Sequence, residues 1–315
     1  MQKKSTRGKS PRQHHTVSHT YLDGFCVPGT DQVVVLDLHN GDVRKQRPAK
    51  VMRRRDYFRQ RHAPKGTDEF ILEREKGRWL EAQLKTIIAK LSRGGHDLTE
   101  DELIAFILHI ELQRLSVPKQ ADFLKSIAKG FIENFALTIP EVADGLRKGL
   151  WKIEIKDEFR FTSLRYILKS GEYFTYISRM VWNVWDVPTG YAFITSDNPV
   201  TIFNPYMHPS ELAGIGLLGS ILLYPLTSTH CLELIHPETE SEKSPDYLKP
   251  IQVEPLDVGG IHIRAGRVMP SDLAHTVNCL LGMYAERYLV SSSIDVLQEV
   301  YESLKIGKPR PPKSH

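Results

Sequence analysis

The chain has 315 residues, of which 41% are hydrophobic and 25% are charged, and its formal net charge at pH 7 is +4. This composition is typical of a globular protein and excludes a chain that is disordered over most of its length. The longest apolar stretch, residues 215–226, is too short for a membrane-spanning helix of about 20 residues, so we expect no membrane partner.

The chain begins with a strongly basic quarter. Residues 1–65 contain 15 lysines and arginines against 5 aspartates and glutamates, whereas the remaining residues contain 27 against 33. Concentrated positive charge attracts polyanions, so nucleic acid is the expected partner. A solvated tail that only improves solubility would have the same composition. We expect residues 1–13 to be a basic disordered tail and, because no apolar segment follows this start, a cytoplasmic protein.

Two short strands and a β-hairpin are predicted after the tail. Residues 21–26 and 32–38 are predicted as strands, the second because it is rich in β-branched side chains. Asn40-Gly41 follows, and this dipeptide is a strong signal for a hairpin turn. Residues 42–46 then form the predicted return strand.

A helical block follows the hairpin. Its apolar residues recur at helical spacing, glycine or proline ends the segments, and Thr99 with Glu102 forms a capping box. Helices are predicted at residues 68–92, from this capping box to Val117-Pro118, at 119–135 and at 140–149.

The rest of the chain is rich in aromatic and β-branched residues. It predicts strands within residues 180–203, at 220–224 and at 229–235, followed by a helix at 271–289 and a frayed tail at 306–315. Strands on both sides of the helical block favour an α+β fold, in which N- and C-terminal strands meet in one mixed or antiparallel sheet. We expect a single α+β domain over residues 14–305, with a helical insertion at about 68–150.

Four motifs follow one another along residues 14–293. They are His14-His15 with Tyr21 and Phe25, residues 193–200 with Asp197-Asn198-Pro199, residues 224–227, and Asn278 with residues 285–291. Together they resemble the bacterial domain-of-unknown-function family 4238. Ser18 stands where that family often has proline, and Ser116-Val117-Pro118 stands where it often has Arg-Thr-Pro. The resemblance implies a shared fold and a site, but no activity, because the function of the family is not assigned.

His14, His15 and Asp197 are the candidate catalytic residues. A neutral imidazole can bind a divalent metal or act as a general base near pH 7. Carboxylates at strand ends often serve as metal ligands, and Asp197 with His15 would suit magnesium or manganese. The alternative is structural, because His15 can pack at a strand start and Asp-Asn-Pro is a common turn sequence.

The arginine-rich segment is the candidate nucleic-acid-binding surface. Arg53, Arg54, Arg55 and Arg59 with Tyr57 combine cations and an aromatic ring, which suits phosphate contact and base stacking. A solvated arginine face is the alternative. Supporting roles near the site are expected for Tyr21, Phe25, Asn198, Pro199 and Arg287, the last as a partner of Asp197.

These residues lead to a metal-dependent phosphodiesterase or nuclease as the leading hypothesis. The alternatives are a noncatalytic nucleic-acid-binding or regulatory protein and a hydrolase of small anionic substrates. Cys26, Cys231 and Cys279 show no CxxC spacing, so we expect three buried, small hydrophobic residues rather than a disulfide framework or a zinc site. Nothing in the sequence indicates an oligomeric state.

Overall fold

The computed structural model describes residues 13–60, 69–70, 82–156, 171–207, 214–241, 247–251 and 260–306. It is an α+β fold with mixed and antiparallel sheets, so the predicted fold class is confirmed. The predicted tails and the first part of the predicted helix at 68–92 lie largely outside the described residues. No described helix is long and apolar enough to span a bilayer.

The strands and helices are numbered here in chain order. The strands are β1 (Gln13–His15), β2 (Val33–Asp37), β3 (Val43–Gln46), β4 (Arg53–Arg55), β5 (Val181–Asp186), β6 (Thr195–Ser196), β7 (Thr201–Phe203), β8 (Ile221–Pro225), β9 (His230–Ile235), β10 (Ile263–Val268) and β11 (Tyr288–Ser291). The helices are α1 (His19–Leu22), α2 (Ala82–Leu91), α3 (Glu100–Ser116), α4 (Pro118–Ala136), α5 (Pro140–Arg147), α6 (Glu172–Arg179), α7 (Pro237–Ser241), α8 (Ser271–Tyr284) and α9 (Ile294–Ile306).

A four-stranded sheet joins the two ends of the chain. Its order is β3-β2-β11-β6, and every pairing in it is antiparallel. The β2–β3 hairpin was predicted, and so was the meeting of N- and C-terminal strands in one sheet. Asp197 follows β6 directly, so this sheet determines where the Asp197 turn lies.

The second large sheet has the order β10-β5-β9-β8-β7 and carries much of the core. Only β10 runs parallel to its neighbour, and the other pairings are antiparallel. Trp182 of β5 and Tyr224 of β8 are fully buried and pack near Phe106 of α3. The helical block thus covers one face of this sheet.

The N-terminal segment contains a wrong prediction. Residues 21–26 form the end of α1 and a 3₁₀ turn at Asp23–Phe25 rather than a strand. Tyr21, Leu22 and Phe25 are all buried, and this spacing matches one face of a helix rather than the alternation of a strand. Before them, β1 pairs antiparallel with β4 and places His14 opposite Arg54.

The helical block agrees closely with its local signals. Thr99 and Glu102 form a complete capping box at the start of α3, and α4 begins at Pro118 directly after it. Glu111 near the end of α3 is buried and binds Arg114, with an oxygen–nitrogen distance of 2.6 Å. Burial of this carboxylate is tolerated because the guanidinium neutralises its charge.

The C-terminal part differs most from its prediction. The helix predicted to reach residue 289 ends at Tyr284, and residues 288–291 form the inner strand β11. Within the region 180–203, where strands were predicted, residues 191–194 are not in a strand, because Asn278 binds the backbone of Ala192 and Ile194 instead. Cys231 is buried as expected, but Cys26 and Cys279 are partly exposed.

Candidate functional site

A cavity of about 460 Å³ lies between the β2–β3 hairpin, β4 and the start of β11. Five cationic side chains line it, and we call it the basic pocket: Arg44, Lys50, Arg53, Arg54 and Arg287. The other lining residues are Thr16, Val35, His39, Gln46, Val51, Met52, Pro118, Asp197, Glu286 and Tyr288. Five cations against two carboxylates give the pocket a net positive charge.

The backbone that carries Arg53 and Arg54 is held in an uncommon conformation. Met52 has a φ of 51°, in the left-handed region that non-glycine residues rarely adopt. Its carbonyl oxygen accepts hydrogen bonds from both the backbone N–H and the hydroxyl of Thr16, each at 3.0 Å. The N-terminal segment therefore fixes the turn from which the two arginines enter the pocket.

The cations of the pocket differ in how far they are already neutralised. Arg54 contacts Glu286 at 3.0 Å, and Arg287 contacts Asp37 at 2.7 Å. Arg44 lies over the Tyr288 ring, 5.5 Å from its centroid. Within the described part of the chain, the side chains of Lys50 and Arg53 form no hydrogen bond or ion pair. These two exposed cations are the groups most available to an anionic ligand.

The Asp197 carboxylate accepts three backbone hydrogen bonds and so has a structural role. Its Oδ1 accepts from the N–H of Glu286 at 2.8 Å, and its Oδ2 accepts from the N–H groups of Arg287 at 2.8 Å and Tyr288 at 3.0 Å. Burial raises the pKa of Asp197, while these three donors act in the opposite direction. The side chain holds the backbone that leads into β11, and this use supports the structural alternative for Asp197.

Arg287 does not form the expected pair with Asp197 through its side chain. The guanidinium binds Oδ2 of Asp37 instead, with distances of 2.9 Å from Nε and 2.7 Å from Nη2. Asp37 lies at the end of β2 opposite Tyr288 of β11, so the sheet register places its carboxylate beside Arg287. This correction leaves only the backbone of Arg287 in contact with Asp197.

Neither histidine lines the basic pocket. His14 is fully buried, stacks on Phe58 with ring centroids 5.9 Å apart, and accepts the Phe58 N–H at Nδ1 at 2.7 Å. His15 has Nε2 3.2 Å from the Ala49 carbonyl oxygen. Among the described residues, no group of three or more histidine, cysteine or acidic side chains is arranged to hold a metal ion. The geometry therefore gives no support to a magnesium or manganese site at His15 and Asp197.

The arginine cluster separates into two parts. Arg53 and Arg54 line the pocket, but Arg55 lies 3.7 Å from Asp56, and Arg59 binds Glu69 at 2.7 Å. Tyr57 packs edge-on against its neighbour Phe58 and has Arg54 over its ring. Only two of the five expected nucleic-acid-binding residues therefore reach the cavity.

The expected supporting residues are packing and turn residues. Tyr21 is buried and donates its hydroxyl to the Pro225 carbonyl at 2.7 Å, and Phe25 is also buried. Asn198 donates from Nδ2 to the Tyr284 carbonyl at 3.1 Å, and Pro199 beside it is buried. The Asn198 hydrogen bond holds the Asp197 turn against the end of α8.

Sequence reasoning missed several residues of the pocket. Arg44 and Lys50 were counted only as part of the basic quarter, and Glu286 and Tyr288 only as part of a motif of the resemblance. The signal that could have found Arg44 is the hairpin itself, because the register places it opposite Val35. The convergence of Lys50 with residues 286–288 depends on the β2–β11 pairing, for which the sequence gives no local signal.

Comparison with known proteins gives one match. The model of the family described as Protein of unknown function (DUF4238) matches residues 13–295. No curated protein and no solved structure matches the chain. The matched region includes every residue of the basic pocket.

Proposed function

The chain belongs to the protein family of unknown function DUF4238, and we propose that it binds single-stranded nucleic acid through the basic pocket. The observation that carries this proposal is the convergence of five cationic side chains on one cavity. Phosphate contacts by arginine and lysine supply most of the affinity of nonspecific nucleic-acid binding.

The size and chemistry of the pocket suit one nucleotide unit of a strand. Its volume of about 460 Å³ falls within the range of roughly 300–1,000 Å³ that is usual for small-ligand sites. A concave site admits a phosphate and a base from a single strand, whereas the phosphates of a duplex lie on its convex outside. Arg53 supplies a planar fork of donors that matches two phosphate oxygens.

The charge around the pocket favours a polyanion over a single small anion. Four of the five cations come from residues 44–54, within the basic quarter that carries 15 positive against 5 negative side chains. One phosphate would neutralise only part of this charge, while consecutive phosphates of a strand could neutralise more of it. A small phosphorylated ligand is the competing occupant. Displacement of a bound strand by a free mononucleotide distinguishes the small ligand from the polyanion.

A metal-dependent phosphodiesterase or nuclease stays a prediction without support from the site geometry. His14 is buried, and Asp197 accepts three backbone hydrogen bonds. A chain that binds nucleic acid here without cutting it agrees better with these contacts. Incubation of the protein with DNA and RNA, with magnesium or manganese, tests the difference. The nuclease hypothesis would be restored if the wild-type protein cleaves nucleic acid and the Asp197→Asn variant, with unchanged stability, does not.

Binding can be measured by fluorescence anisotropy with a labelled single-stranded oligonucleotide. We expect Arg44→Ala/Arg53→Ala to weaken binding at least about tenfold, because each arginine makes charge-assisted contacts with phosphate. The matched control is Arg47→Ala, since Arg47 is on the same segment but pairs with Asp31 and does not line the pocket. Equal affinity of the double variant and the control would contradict the proposal. A free mononucleotide that displaces the strand with equal affinity would assign the pocket to small ligands.

A further inference from the structure

A second cavity, of about 380 Å³, lies beside the basic pocket and is lined mainly by apolar groups. His39 and Glu286 border both cavities. The remaining lining residues lie just after β2, in or just after α8, and in α9: Leu38, Cys279, Gly282, Met283, Ala285, Ser303 and Leu304. We call this cavity the thiol pocket, because Cys279 carries the one thiol among the described residues that line it.

Cys279 is the first member of a chain of three side chains. Its Sγ lies 3.4 Å from Nε2 of His275, and Nδ1 of the same imidazole lies 3.2 Å from Oε1 of Glu299. Cys279 and His275 are four residues apart and share a face of α8, and Glu299 approaches from α9. A nucleophile within reach of a base that a third group orients is the arrangement that activates a thiol or hydroxyl.

Both ring nitrogens of His275 have polar neighbours. Nδ1 lies 3.1 Å from the Tyr191 hydroxyl and 3.2 Å from Oε1 of Glu299, and Nε2 faces the Cys279 thiol and, at 3.3 Å, the Ser303 hydroxyl. Burial raises the pKa of Tyr191 to about 12, so its hydroxyl stays protonated. In the tautomer whose Nδ1–H is donated to Glu299, Nε2 carries no proton and can accept the proton of the thiol.

We propose that Cys279 is a nucleophile that accepts an acyl group from an ester or thioester whose apolar acyl chain lies in the thiol pocket. The thiol proton passes to Nε2 of His275 while the sulfur attacks the carbonyl carbon. The bond to the leaving oxygen or sulfur breaks, and the leaving group takes the proton from the imidazolium. The product is a thioester on Cys279, which water cleaves to the carboxylic acid while the thiol regains its proton.

The Cys279 thiol is protonated at rest. Burial raises the pKa of Cys279, with Glu299 acting in the same direction and the Ser303 hydroxyl in the opposite one. Three groups face the thiol and the imidazole: Glu299 and Ser303 of α9, and Tyr191 of the loop after β5. His39 and Glu286 lie further along the cavity. A neutral thiol needs His275 as a base during attack, so removal of the imidazole should change the pH dependence of acylation.

Acylation by p-nitrophenyl butyrate, followed by peptide mass spectrometry of the full-length protein, tests the proposal. We expect a butyryl group on Cys279 in wild type and slower acylation of Cys26, which is also partly exposed but has no hydrogen bond to a histidine among the described residues. Cys279→Ala removes the modification, and Cys26→Ala leaves it unchanged. Equal acylation rates of Cys279 and Cys26 in wild type would overturn the proposal.

The role of His275 is tested separately by the pH profile. His275→Ala should slow acylation of Cys279 by about 10²–10⁴-fold, the usual contribution of a general base. The remaining rate should rise only at the higher pH at which the thiol ionises by itself, and added imidazole should restore part of the loss at neutral pH. Glu299→Gln should give a smaller loss. A His275→Ala variant that keeps the wild-type pH profile would show that the imidazole only packs against the thiol.

Discussion

The side chain of Arg287 binds Asp37, whereas the backbone N–H of the same residue binds Asp197. Arg287 thereby connects the end of β2 to the turn after β6, at the point where β11 enters the sheet. Its guanidinium also lies over the Tyr288 ring, 5.0 Å from the centroid. Arg287 therefore links β2 and the turn after β6 at the wall of the basic pocket.

Replacing Asp197 by alanine should destabilise the protein. Three backbone N–H groups would lose their acceptor, and a buried donor left without one costs about 1–3 kcal/mol. Since water can reach part of the turn, we expect a total loss of about 2–4 kcal/mol in the free energy of unfolding, measured by urea denaturation. Glu286→Ala is the control, because it removes an exposed carboxylate beside the same turn and should cost less than about 1 kcal/mol. An Asp197→Ala variant as stable as wild type would contradict the structural role of Asp197.

The Asp37–Arg287 pair should make stability depend on pH. The hydrogen bond from Arg287 lowers the pKa of Asp37 from its ordinary value of 3.8. A lowered folded-state pKa means that the stabilisation is present above the ordinary value and is lost as the pH falls through the lower folded value. The stability difference between wild type and Asp37→Asn should therefore be largest near neutral pH and shrink below pH 3.8. A difference that stays constant over this range would contradict the ion pair.

His14 and His15 should respond differently to alanine. His14 is fully buried between aromatic rings, so His14→Ala leaves a cavity and removes the acceptor of the Phe58 N–H. We expect a loss of about 2–4 kcal/mol for His14→Ala and of less than about 1 kcal/mol for His15→Ala. Thermal and urea unfolding of the two variants provide the measurement. Equal stabilities of the two variants would show that His14 does not stabilise the core.

The sequence predicted the parts of the fold that depend on local chemistry. The β2–β3 hairpin and the capping box of Thr99 and Glu102 each rest on residues within a few positions of one another. Strand β11 was missed because Ala285, Glu286 and Arg287 continue the helical pattern of α8. The helix ends there through contacts with Asp197, almost ninety positions earlier in the chain, and no local pattern contains that information.

The candidate site was predictable only in its charge. Arg53 and Arg54 belong to a visible basic cluster and reach the pocket, but Arg55 and Arg59 in the same cluster are taken up by Asp56 and Glu69. The Arg59–Glu69 pair and the burial of His14 by Phe58 depend on how separate segments pack, whereas Asp56 directly follows Arg55 in the chain. Composition therefore indicated the ligand class that we propose, while the identity of the pocket residues required the fold.

The salt dependence of binding tests the nucleic-acid proposal most directly. The logarithm of the affinity for a single strand falls with the logarithm of the salt concentration, with a slope of about −0.7 for each phosphate that the protein neutralises. Arg53→Ala should make this slope shallower by about 0.7, whereas Arg55→Ala, which changes a neighbouring arginine outside the pocket, should leave it unchanged. Equal slopes for wild type and both variants, or no salt-dependent binding of wild type, would contradict the assignment of the basic pocket.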